Sequence, residues 1–147
     1  KLRLNFSTLV KCYLGNDRDI KRFVKKLQSA YKKHDYNFNI RNLKINELKP
    51  VFADMALNDA RYKDFKRGII RSINLGRPLA WALYLGIVPE PEIPQASGGH
   101  MRLIIGYNEV TEEIYYSDTW GAGHEKKTMD MISAFWVSAA LWEIRPR

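Results

Sequence analysis

Cysteine is almost absent. Cys12 is the single one in 147 residues, which excludes an internal disulfide framework and leaves the compartment undecided. Histidine is scarce too: His34, His100 and His124 lack close ligand spacing and lie far from Cys12 in sequence, so no metal site is expected. No cofactor is expected either. Long hydrophobic runs are missing as well. The longest apolar stretch, Leu79 to Val88, is too short for a transmembrane helix and is broken by Gly86, so no membrane span is expected. No repeat or low-complexity segment breaks the chain, and nothing requires a second domain.

What is present suits one globular unit. With 46% hydrophobic and 12% aromatic residues, 1–147 is expected to form a single domain with a substantial core. A removed signal peptide would leave no trace, and export is the compartment favoured. Oligomeric state is left open. Charge is uneven: residues 1–77 carry 19 Lys or Arg against 7 acids, whereas 78–147 carry 5 against 9. A basic half raises nucleic-acid binding as a function class. The spacing favours a plainer reading. Ile20, Phe23, Val24, Leu27, Ala30 and Tyr31 follow helical periodicity with the cations largely elsewhere, so the charge coats an amphipathic helix. No nucleic-acid reader motif accompanies it, and nucleic acid is not an expected partner.

The coarse order is helices, then strands. Ser7 or Asn5 as cap and Gly15 as stop predict a short helix over 6–14; a longer one runs from Asp17 or Asp19 to Lys33. Tyr36 to Arg41 alternates like an edge strand, and Asn46 is positioned to cap a short helical stretch. Tyr62, Phe65, Ile69 and Ile73 mark a helix ended by Gly76, and Leu79 to Leu85 reads as a buried strand begun by Pro78. A short helical stretch near 130–135 precedes a last strand over 140–145. This is an α+β arrangement, N-terminal helices followed by an antiparallel sheet.

The chemistry concentrates between these last elements. Residues 99–107 and 112–118 are two apolar, β-branched and aromatic runs joined by Asn108 to Thr111, a β-hairpin pattern. With the turn near Glu109, His100 falls opposite Asp118, their Cβ atoms roughly 5 Å apart. The carboxylate would hold one ring nitrogen and leave the other outward as a base. A one-residue slip would spoil this. Gly98 and Gly99 before the His allow a close backbone approach and a bend that presents its ring. The plainer reading of His100 is a satisfied histidine at a strand end. The loop 88–99, with three prolines, is either a stiff cleft wall or a connection in which Glu90 and Glu92 are surface acids. His124 is read as a loop histidine. Ser97 and Ser117 lack a nucleophile-elbow context.

His100, Gly106 and Tyr107, followed by Asp118, Trp120 and Gly121, resemble the His strand and the Asn-Ser-Trp-Gly turn of papain-like cysteine peptidases. Asp118 stands where Asn is usual, which is similar to the bacteriocin-leader peptidases and their relatives, whose triads are Cys, His and Asp. The stretch from Gly76 to Pro146 resembles a bacterial branch of these proteins; Leu2 to Asn42 resembles no family. The resemblance implies a papain-like α+β fold and a thiol hydrolase acting on a peptide or protein. In it His100 is the base, Asp118 its orienter, and Trp120 a cover over their hydrogen bond, with Gly99 as support. A non-catalytic peptide-binding version is the alternative.

The nucleophile is the missing half. In the family it opens a buried helix a few residues after a Gln. Cys12 has no Gln shortly upstream and falls near the end of its expected short helix, where the dipole disfavours a thiolate. Cys12 is therefore read as a small buried hydrophobe, and the nucleophile and its Gln are expected on a segment upstream of Lys1.

Overall fold

The computed structural model describes residues 4–11, 53, 56–85, 88, 90, 92, 93 and 98–146. In chain order the elements are β1 (Leu4–Lys11), α1 (Ala60–Asn74), β2 (Leu79–Leu85), β3 (Gly98–Asn108), β4 (Glu113–Ser117), β5 (Lys127–Asp130), α2 (Met131–Val137) and β6 (Ser138–Pro146). The strands form one six-stranded sheet in the order β1-β6-β2-β3-β4-β5, every described pairing antiparallel. This is the expected α+β class. Among the described residues no helix is long and apolar enough to cross a membrane.

The short helix expected over 6–14 is replaced by β1. Asn5, Ser7 and Gly15 are cap-type residues, but Phe6, Thr8 and Val10 also alternate, and β6 offers an open edge to pair with. A tertiary partner overrides a marginal helix signal, and a bulge between Thr8 and Val10 absorbs one residue. Strand β5 was not foreseen in its short polar sequence. The helix expected to end at Lys33, the strand at 36–41 and the stretch capped by Asn46 lie outside the described residues.

Helix α1 is bounded by its own sequence. Asp59 accepts from the Arg61 N–H at 2.9 Å to cap the start. At the other end Gly76 takes φ +67°, and the Gly76 and Arg77 N–H groups return to the carbonyls of Ile73 and Ser72 at 2.9 Å each, a Schellman closure only glycine enters freely. Tyr62, Phe65 and Ile69 form its buried stripe. Phe65 and Tyr62 meet Phe135 of α2 edge-on at 5.6 and 5.4 Å.

These helices cover one face of the sheet. Strand β2 buries Leu79, Trp81, Leu83 and Leu85 alternately, and Ile104, Ile114, Tyr116, Met129 and Leu141 join them from neighbouring strands. At one end of this face Glu143 is buried, accepting from Ser72 Oγ at 2.6 Å and from Arg77 at 3.3 Å and paired also with Arg145. At the opposite end of β2, where Leu83 faces His100, the same face turns polar.

Candidate active site

The β3–β4 hairpin sets the site, by a route different from the simple register. Asn108 Oδ1 accepts from the Val110 and Thr111 N–H groups at 3.0 and 3.2 Å, and Asn108 pairs with Glu113, three positions beyond its partner in the simple turn. Continued unbroken, that register would put Leu103 opposite Asp118 and send His100 to the other face. A bulge between Ile104 and Gly106 adds one residue to β3 and restores the parity. Leu103 then faces Ser117, so Arg102 comes opposite Asp118 and His100 lies diagonal to it on the same face. The direct opposition of His100 and Asp118 was two residues off, an even displacement that keeps the face. Gly106 sits at the bulge, where a Cβ would come within 3.0 Å of the Tyr115 ring.

His100 and Asp118 are joined. The Nε2 to Oδ1 distance is 2.6 Å, and an ionised carboxylate can only accept, so Nε2–H donates and, in the neutral ring, Nδ1 carries the lone pair. The His100 side chain is 16% exposed and that of Asp118 is wholly buried. Trp120 stacks on the imidazole with centroids 5.6 Å apart and planes at 29°. Being 44% exposed itself, Trp120 covers one side of the pair and offers its other face to solvent. Gly99 precedes His100 on β3 and pairs with Tyr84. A Cβ there would meet nothing within 4 Å, so among the described residues no close approach needs this glycine.

Asp118 is held at both oxygens. Oδ1 also accepts from the Thr119 N–H at 2.7 Å, and Oδ2 accepts from Arg102 Nε at 2.6 Å. Burial pushes its carboxyl up, but the hydrogen bonds from His100, Thr119 and Arg102 and the guanidinium charge outweigh it and hold it below the usual carboxylate value. The loop beyond returns to the site, since the Asp118 N–H donates to the His124 carbonyl at 2.9 Å. His124 is half-buried, and its Nδ1 has no partner among the described residues.

Arg102 is the residue that sequence reasoning passed over. Its side chain is 0% exposed, with Nη1 and Nη2 each 2.9 Å from the two oxygens of Glu90. The guanidinium lies over Tyr116 at 4.4 Å and near Trp81 at 5.7 Å. Burial works against this cation, yet the hydrogen bonds and charge of Glu90 and the bond to Asp118 raise its affinity for the proton. Tyr116 donates its hydroxyl to Glu90, and burial, then that contact, raises the phenol well above its ordinary value. Glu90 is thus no surface acid. Glu92 is one, paired with Lys127. The available signal was an Arg on a strand whose even positions face the core.

Of the remaining candidates, Ser117 faces away from Asp118 by strand alternation. Cys12, His34 and Ser97 lie outside the described residues. Among the described residues no group of three or more His, Cys, Asp or Glu could hold a metal ion.

Fold and residue pattern together define an α+β protein of the cysteine-peptidase type. The family model described as Peptidase_C39 like family matches residues 8–143, and the chain belongs to that family. The resemblance drawn from the His strand and the Asp-Thr-Trp-Gly turn is thereby borne out at the level of a cysteine-peptidase-like domain. No curated protein and no solved structure is matched by the chain.

Proposed function

We propose that this domain hydrolyses a peptide or amide bond by thiol chemistry, with His100 as general base and Asp118 as its orienter. The observation that carries the reading is the Nε2–Asp118 bond, which leaves Nδ1 as the only ring nitrogen able to take a proton. In this reading Nδ1 removes the proton of a cysteine thiol lying outside the described residues. The thiolate adds to the substrate carbonyl, and the imidazolium returns the proton to the departing amine. Water then attacks the thioester with His100 again as base, releasing the acid and the thiol. Asp118 fixes the ring and balances the transient imidazolium, and Trp120 keeps water from one side of the bond.

The test is peptide hydrolysis by the full-length product of the gene. We expect activity that iodoacetamide abolishes and that His100→Ala lowers by on the order of 100-fold or more. Cys12→Ala is expected to leave it intact; loss in that variant would place the nucleophile at Cys12. Hydrolysis indifferent to His100→Ala would overturn the assignment. A full-length protein that binds peptides and cleaves none would make the domain a peptide-binding module.

A further inference from the structure

We propose that Arg102, clamped by Glu90, is a positioning residue that fixes the carboxylate of Asp118 and thereby the tautomer and orientation of His100. The proposal deepens the hydrolase reading and rests on it for its catalytic meaning, while its geometric content stands separately. Three observations carry it. First, Arg102 Nε occupies Oδ2 while His100 and the Thr119 N–H occupy Oδ1, so the carboxylate cannot rotate without breaking a bond at one end or the other. Second, the guanidinium cannot swing away. Its Nη atoms are held in a two-point fork by Glu90, and the rings of Tyr116 and Trp81 lie against it. Third, among the described residues the charges of this cluster add to one net negative, Glu90 and Asp118 against Arg102, which is the counter-charge of a single imidazolium.

The charge balance explains why two acids are needed. A buried Arg102 paired with Asp118 alone would neutralise the carboxylate and compete with the imidazolium for it. Glu90 offsets that cation and leaves the charge of Asp118 for His100. Without Arg102, two carboxylates would share one buried site, and one would take a proton. A protonated Asp118 could donate instead of accept, which would invert the ring's hydrogen bonding. Glu90 also connects the site to the loop after β2: its carbonyl accepts from the Ile93 N–H at 3.0 Å, and Ile93 is buried in the core. Glu90, tied in this way to the buried Ile93, thus supports the catalytic pair in this reading.

The experiment is long-range proton–nitrogen NMR of the His100 ring in the whole protein, at a pH where the imidazole is neutral. The natural chain should show the Nε2–H tautomer, and Arg102→Met should convert it to a mixture of tautomers. Arg102→Lys, which restores charge but not the fork, should recover part of the signal. Glu90→Gln supplies a second reading of the same clamp should Arg102→Met fail to fold, and it too should lower the Nε2–H population. A folded Arg102→Met or Glu90→Gln protein with an unchanged His100 ring overturns the proposal. A purely structural role would lower the melting temperature and leave the ring signal alone. Where the natural protein hydrolyses peptide, kcat should fall on the order of 100-fold in Arg102→Met with KM little changed. A natural protein without hydrolysis whose ring still responds to Arg102→Met would sink the hydrolase reading and leave the positioning role standing.

Discussion

Asp118 stands where the resembled papain-like turn has Asn, and the structure supplies a physical reason. An asparagine there can offer its carbonyl to His100, but its amide would then face Arg102 Nε, donor against donor. Only a carboxylate accepts at both ends. Asp118→Asn is therefore expected to destabilise the protein by about 3 kcal/mol, since it leaves one bond of a buried charged group unmade. Urea unfolding measures this, and a variant as stable as the natural chain would show that Arg102 does not depend on Asp118. His100 and Asp118 were legible in the sequence because the residue types and spacing are distinctive. Arg102 was not, because an Arg on a strand is read as solvent-facing until its two carboxylate partners are known. One of them, Glu90, comes from a loop whose path no periodicity fixes.

At the scale of elements, the hairpin shows how local signals can be right in kind and shifted in register. Alternation identified both strands, and Asn108 identified the turn, but the Asn108 bonds place the turn later and the bulge corrects the face. Helix α1 is the opposite case, since its stripe and its Gly76 stop lie where the spacing puts them, and the structure adds Asp59 as its cap. The packing between α1 and α2 depends on Phe65, wholly buried against Phe135. Phe65→Ala should cost about 4 kcal/mol in urea unfolding, by lost burial and the cavity left behind. A loss under about 1 kcal/mol would mean that the helices close over the gap. Strand β1 was misread because both helix and strand signals in 4–11 are weak, and the free edge of β6 decided between them.

Over the whole molecule, two buried carboxylates mark opposite ends of the covered sheet face. Burial pushes the Glu143 carboxyl up, but hydrogen bonds from Ser72 and Arg145 and the charges of Arg145 and Arg77 hold it below its ordinary value, as Asp118 is held below its own. A carboxylate whose affinity for protons is lower in the folded chain stabilises the fold above its unfolded value, near pH 4. That stabilisation fades as pH falls through the lower folded value, because the unfolded chain then binds more protons. Melting temperature should accordingly drop steeply below about pH 4. Glu143→Gln should start lower at neutral pH and show a shallower acid slope. Melting temperatures that run parallel for the two proteins would show that Glu143 does not contribute to acid unfolding.

The sequence by itself determined the α+β class, the hairpin and the family, because these depend on residue type, alternation and spacing, which are local or carried by motif. It also determined that His100 and Asp118 belong together. Only the tertiary structure decided that a bulge brings them to one face. Only it showed that Arg102 and Glu90 complete the buried charge network behind them and that the first strand pairs with the last. Each of these turns on which distant groups meet in a low-dielectric interior, where an unpaired charge or an open sheet edge is costly enough to overrule local preference.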